Sequence, residues 1–132
     1  MYSLHNHTSY CDGKNTVSEM IQAALDAGLT HFGLSGHAPV PFTNKWSIPT
    51  DEKVRAYFNE IAAFQTIETD TKIFGGLEAD YIPGMSQPFS YWRTKFPCDF
   101  VIGSIHLVEN NGRLWFIDGP AEGYDEGLNN IF

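Results

Sequence analysis

The sequence predicts an α/β fold built on a largely parallel sheet or barrel. Two observations carry that expectation: short apolar runs at Tyr2 to Leu4, Thr30 to Ser35, Lys72 to Leu77 and Phe100 to Ile105, and stretches of helical periodicity between them. Strands that alternate with helices must be joined by crossovers, which gives right-handed βαβ units and parallel pairing.

The elements follow in order. After the short first strand, Thr16-Val17-Ser18-Glu19 has capping-box spacing. Met20, Ile21, Ala24, Leu25 and Ala27 then recur at helical intervals until Gly28 stops the helix. Thr30 to Ser35 sets Phe32 and Leu34 against Gly33 and Ser35, a strand that feeds the loop His37-Ala38-Pro39-Val40-Pro41. Beyond Pro49, Thr50 can cap a second helix with a stripe of Val54, Tyr57, Phe58, Ile61, Ala62 and Phe64, ending near Thr69. Helical spacing makes this aromatic stripe core, not a cofactor surface. Lys72 to Leu77 is a strand, Tyr81 to Pro88 a loop, Phe89 to Phe96 a short helix and Phe100 to Ile105 the clearest strand. Asn110-Asn111-Gly112 is a turn, Leu114 to Ile117 a strand, and Glu122 to Phe132 a helix reduced to its first turns.

With 132 residues, no repeat, no low-complexity segment and no linker, the chain is expected to form one domain, residues 1–132. An apolar content of 42% against 18% charged residues excludes disorder. Sixteen acidic and eight basic side chains give a formal charge of -8, which disfavours nucleic acid and anionic membranes because both are held through Lys and Arg. The same charge suits a phosphorylated substrate only where bound cations reverse the local field. Cys11 and Cys98 are too few for a disulfide framework, so a reducing compartment is expected. No basic segment leads into an apolar one at the N-terminus, and no apolar run approaches ~18 residues. The expected location is the cytoplasm.

The chemistry lies where the strands end. In parallel α/β folds the loops after the strands line a common crevice. His5 and His7 follow the first strand, His37 the second, Glu78 the third and His106 the fourth, so separate elements deliver metal-binding side chains to one rim. His5 and His7 point the same way along an extended segment, close enough to share a cation. Glu78 ends a buried strand and needs a partner or a cation, which makes it the natural bridging ligand. His106 closes the apolar run Val101 to Ile105. Asp12, before Gly13, taken alone fits a turn better than a ligand. His37 fits a capping or solvated role as well as ligation. Asp80 shares the parity of Glu78 and is its rival, set farther into the loop, whereas Asp118 is a candidate helix cap. His31 begins its strand ~20 Å from His37 and belongs to the opposite rim. Two residues before the ligands stand Ser3, Ser35, Gly76 and Ser104, which are expected to leave room beneath a metal cluster. Trp46, Trp92 and Trp115 have no assignable role.

His5-Asn6-His7 with Asp12, Gly36-His37-Ala38-Pro39, Gly76 to Gly84, and Gly103-Ser104-Ile105-His106 together resemble, in order and spacing, the motifs of the polymerase and histidinol phosphatase (PHP) superfamily. Ser35 to Phe42 and Leu77 to Gly84 are especially similar to histidinol-phosphatases. The resemblance covers essentially the whole chain. It implies a distorted, TIM-like (β/α)7 barrel holding up to three divalent cations, zinc, manganese or iron, with Glu78 bridging two of them. The implied metal set is His5, His7, Asp12, His37, Glu78 and His106, with metal-activated water as nucleophile and no further catalytic side chain.

Gly36 departs from the pattern, standing where many members carry an acidic residue. Length departs further: the family draws additional ligands, a histidine and then an Asp/His pair, from later strands than this chain contains. The expected architecture is therefore a partial PHP barrel of about four βα units, an incomplete domain whose open edge invites self-association or cover by further chain. The implied reaction is hydrolysis of L-histidinol phosphate, a small phosphorylated substrate, to L-histidinol and phosphate in histidine biosynthesis. The alternatives are a non-catalytic metal-binding or assembly module and another PHP phosphoesterase, of which a polymerase-associated domain fits the acidic charge poorly.

Overall fold

The computed structural model describes residues 1–119 and 121–131. Its core is a four-stranded parallel sheet of β1 (Tyr2–Ser3), β2 (His31–His37), β3 (Lys72–Asp80) and β4 (Phe100–Ser104), in the order β1-β2-β3-β4. Sequential order with every crossover on one face is the winding of a barrel, not of a doubly wound sheet. The helices α1 (Val17–Asp26), α2 (Asp51–Gln65) and α3 (Phe89–Lys95) supply these crossovers. A two-stranded antiparallel hairpin, β5 (Leu107–Asn110) and β6 (Arg113–Phe116), and α4 (Ala121–Ile131) follow. No described helix is long and apolar enough to cross a membrane.

Alternation along the strands explains the layering. Phe32 and Leu34 of β2 and Ile73, Leu77 and Ala79 of β3 turn to the outer face and are buried against Val17, Ile21 and Ala24 of α1 and Val54, Tyr57, Phe58 and Ile61 of α2. Trp92 of α3 and Phe96, the residue after it ends, complete this core. At Gly75 the sheet comes so close to α2 that an added Cβ would stand 3.2 Å from the Phe58 ring. The opposite face, lined by Tyr2, Leu4, His31, Phe74 and Phe100 near the amino ends of the strands, encloses an open concavity of about 630 Å³.

Local chemistry sets the boundaries. The Thr16 side chain accepts from Glu19 N–H while the Glu19 carboxylate accepts from Thr16 N–H, the predicted capping box. Thr50 caps α2 as expected, but α2 ends at Gln65, four residues before Thr69, because Thr66 Oγ1 donates back to the Ala63 carbonyl and the chain turns away. β2 and β3 run further than their apolar runs suggest. Each continues through polar residues, to His37 and Asp80, because the parallel ladder pairs His37 with Glu78 and Asp80 with Ser104. β5 was not expected, since a four-residue strand straight after His106 breaks the βα alternation. Its turn was: Asn111 (φ 53°) and Gly112 (φ 78°) occupy the left-handed region that a two-residue hairpin demands. α4 is nearly the predicted terminal helix, with Phe132 outside the described residues. Cys11 and Cys98 are free thiols.

One side chain ties the layers together. The buried Tyr57 hydroxyl accepts from Gly36 N–H (3.2 Å) and donates to the Gly76 carbonyl (3.1 Å), bridging β2 and β3 from α2. Tyr57→Phe leaves both backbone groups buried without that partner, so an urea titration is expected to show a loss of about 1–3 kcal/mol. A loss below about 0.5 kcal/mol would show that the bridge carries no stability.

Candidate metal centre

Each polar side chain of the site sits at the carboxyl end of a strand. Past β1, Asn6 continues the sheet: its carbonyl accepts from Ser35 N–H (2.9 Å) and its amide donates to the Gly33 carbonyl (2.9 Å). That anchor fixes His5 and His7, whose rings meet edge to face at 5.0 Å. The chain then turns around the Thr8 carbonyl, which accepts from both Cys11 N–H (3.0 Å) and Gly13 N–H (3.1 Å). A Cβ at Gly13 would lie 2.5 Å from the Thr8 nitrogen, so only glycine permits a turn this tight. The turn swings Asp12 back over His7, with Oδ1 2.6 Å from Nδ1.

At the centre is the buried carboxylate of Glu78. Its Oε2 lies 3.0 Å from His7 Nε2, 3.3 Å from His37 Nδ1 and 3.7 Å from His5 Nε2, and its Oε1 lies 3.5 Å from His106 Nε2. Asp12 Oδ2 approaches His37 Nε2 at 3.6 Å. All six side chains expected at the rim, His5, His7, Asp12, His37, Glu78 and His106, are therefore together. His31 is not among them; it stacks on Phe74 at the far end of the strands.

Among the described residues, three sets have donor atoms close enough for one ion: His5 with His7 and Glu78, His7 with Asp12 and His37, and His37 with Asp80 and His106. Asp80 is not in a loop. It is the last residue of β3, 8% exposed, with its Oδ1 2.5 Å from His106 Nδ1 and its Oδ2 3.6 Å from His37 Nδ1. Asp118 is also near, its Oδ2 3.7 Å from His106 Nε2.

The small residues beneath the ligands do not leave the expected space. Ser35 Oγ is 2.9 Å from His5 Nδ1, Ser104 Oγ donates to Asp80 (3.0 Å), and Ser3 bonds Asn6. Gly76 lies under the Phe100 ring, 2.7 Å from where its Cβ would be. Gly36 points away from the His37 ring: its missing side chain would meet Cys11 Sγ and Ile48. Trp46 packs edge-on against His37, ring centroids 5.0 Å apart, a role invisible in sequence.

The ordinary check on a metal site is whether its donors are satisfied without an ion. His7 Nε2, His37 Nδ1, Glu78 Oε2 and Asp80 Oδ2 are buried and, among the described residues, have no hydrogen-bond partner. The 3.0 Å approach of His7 to Glu78 is close but not aligned as a hydrogen bond. Four orphaned polar atoms converging on one space are costly unless a cation is their partner, and mixed imidazole and carboxylate donors suit zinc, manganese or iron.

Charges respond to this crowding. Contacts with the Cys11 thiol, then Glu78, outweigh burial and with Asp12 raise His7 to about 11. Burial works to raise Glu78, yet His7, His37, His5 and His106 hold it below its ordinary value. Burial likewise opposes, and His7 and His37 overcome, in Asp12; His37, His106 and Ser104 do so in Asp80.

A curled parallel sheet that gathers imidazoles and carboxylates at the carboxyl ends of its strands defines an α/β barrel protein with a candidate metal centre. The chain belongs to the PHP domain family, whose family model matches residues 3–130. It is 34% identical over 122 residues to a Deinococcus radiodurans protein named "Probable histidinol-phosphatase", covering 88% of this chain and 44% of that protein. Its fold is similar to the crystal structure of a candidate histidinol phosphatase from Listeria monocytogenes, with a TM-score of 0.74 and 23% identity over 95% of this chain and 52% of that one. The chain thus spans about half the length of the relatives it matches.

The pKa directions fix how a metal-free preparation responds to pH. Asp12, Glu78 and Asp80 are depressed, so their contribution is present above the ordinary carboxylate range and lost as pH falls through their folded values. His7 is raised, so its contribution is full below 6.5 and is lost as pH climbs toward about 11. The urea midpoint in the presence of chelator is therefore expected to fall on acidification below about pH 4 and again between about pH 7 and 10. His7→Ala should flatten the alkaline limb; a wild-type midpoint that rises over that interval contradicts the assignment.

Proposed function

We propose that the chain carries the front portion of a metal-dependent phosphomonoesterase site, and that its substrate is L-histidinol phosphate, released as L-histidinol and phosphate in histidine biosynthesis in the cytoplasm. The observation that carries the hydrolase reading is the convergence of four buried, unpartnered donor atoms from His7, His37, Glu78 and Asp80. Similarity to the Deinococcus protein over 88% of this chain supports the substrate.

In this reading His5, His7 and Glu78 would hold one divalent cation, Glu78 with His106 a second, and Asp12 with His37 a third. Zinc, manganese or iron would supply the positive charge that attracts a phosphate ester to an otherwise acidic rim and polarises both the ester and the attacking water. The protein's own part is positional. Glu78 lies among four imidazoles and is placed to bridge. Asp12 holds His7 through Nδ1, so that Nε2 faces the shared space. Trp46 walls off His37 from one side.

A second reading, a metal-binding or assembly module without turnover, is favoured by the open inner face. Tyr2 and Leu4 are exposed there, and among the described residues β4 has a sheet neighbour only on its β3 side. An unpaired edge and an apolar face invite further chain or a second copy. A third is hydrolysis of another small phosphate ester by the same residues.

Assay of the chain on histidinol phosphate with added manganese or zinc separates these. Metal-dependent phosphate release is expected, reduced at least about 100-fold in His7→Ala, a loss in line with removing a ligand from a catalytic metal. Zinc or manganese binding without turnover leaves the module; turnover of other monoesters but not histidinol phosphate leaves the third reading.

A further inference from the structure

We infer that Asp80 is a positioning residue that presents His106 to a cation through Nε2; the inference rests on the metal-site reading above. Asp80 is the ladder partner of Ser104, and β4 delivers both Ser104 and, after one more residue, His106 to its carboxylate. Oδ1 accepts from Ser104 Oγ at 3.0 Å and lies 2.5 Å from His106 Nδ1. A carboxylate only accepts, so this contact places the hydrogen on Nδ1 and leaves the Nε2 lone pair free in the neutral ring. That free nitrogen faces Glu78 Oε1 at 3.5 Å and Asp118 Oδ2 at 3.7 Å.

The same polarity recurs around Glu78. His5 has Nδ1 against Ser35 and Nε2 toward Glu78; His7 has Nδ1 against Asp12 and Nε2 toward Glu78. His37 is reversed, with Nδ1 toward Glu78 and Nε2 toward Asp12. Three imidazoles thus offer Nε2 to one carboxylate, each with Nδ1 held from behind, and Asp80 is the holder for the third. Partners of this kind fix the tautomer and ring orientation of a ligating histidine. The competing role for Asp80 is direct ligation. Its donor atoms stand close to His37 Nδ1 and His106 Nδ1, and in that arrangement His106 would bind through Nδ1.

Long-range proton–nitrogen spectra of the histidine-labelled 132-residue chain at pH 8, with zinc titrations followed by calorimetry, decide between these. Positioning predicts His106 protonated on Nδ1 without zinc and bound through Nε2 with it. It further predicts that Asp80→Ala keeps the zinc stoichiometry at saturation while weakening one zinc by about 10–100-fold and mixing the His106 tautomers. Ser104→Ala should move the His106 signal in the same direction by less, and it carries the test together with the wild-type tautomer should circular dichroism show Asp80→Ala unfolded. Zinc on His106 Nδ1, loss of one zinc at saturation in Asp80→Ala, or unchanged spectra and affinity overturns the inference. None of these readouts uses turnover, so zinc binding with the predicted tautomer but no phosphate release defeats the phosphatase reading alone. A wild-type chain that binds no zinc defeats both.

Discussion

The structure depends on one buried carboxylate. Glu78 is 4% exposed at the end of β3, and removing an ionised group from water costs several kcal/mol unless opposite charge surrounds it. Four imidazoles line it, from three stretches of chain: His5 and His7 after β1, His37 at the end of β2 and His106 after β4. The parallel ladder makes this possible: His37 is the register partner of Glu78, and Asp80 that of Ser104. A shift of one residue in β3 would turn Glu78 and Asp80 outward into the helical core and bring Leu77 and Ala79 to the rim. Apolar packing on α1 and α2 therefore sets the geometry of the polar site, because the same alternation governs both faces.

Asp12, Glu78 and Asp80 face the ring of histidines, but the hydrogen bonding between them is incomplete. Four buried donor atoms are left unpartnered even though the carboxylates and His7 shift their proton affinities to meet one another. Protons satisfy charge here without satisfying geometry. A divalent ion does both, since it accepts several donors at once and needs no directional hydrogen. The net charge of -8 accords with the same chemistry, since a divalent cation would reverse the local field of an acidic rim.

Much of this was legible in sequence, for identifiable reasons. The capping box at Thr16 and the stripe of Val54, Tyr57, Phe58 and Ile61 are local signals, and both helices start where predicted. The convergence of His5, His7, Asp12, His37, Glu78 and His106 was legible because strand ends in parallel folds share a rim. The lengths of β2 and β3 were not, since apolar runs stop where a strand enters a polar site while its backbone pairing continues. Asp80 was misplaced in a loop for that reason, although its parity with Glu78 was visible. Trp46 and the Ser35 and Ser104 partners of His5 and Asp80 depend on contacts between distant segments, and composition offers no sign of them.

The row of small residues shows how a correct pattern can have a different cause. Ser35, Gly76 and Ser104 stand two residues before His37, Glu78 and His106, and small size suggested vacant space below. Only Gly76 acts through size, admitting the Phe100 ring onto the inner face. The serines act through their hydroxyls, one beside His5 and one on Asp80. This divides the inner face in two: a hydrogen-bonded tier directly supports the imidazoles and carboxylates, and an apolar floor of Tyr2, Leu4, Phe74 and Phe100 lies beneath it. The two tiers share the same strands, the floor toward their amino ends and the rim at their carboxyl ends. Alternation along β2 and β3 puts both tiers on the face turned away from α1 and α2, so the packing that seats the helices also decides which side of the sheet carries the polar rim.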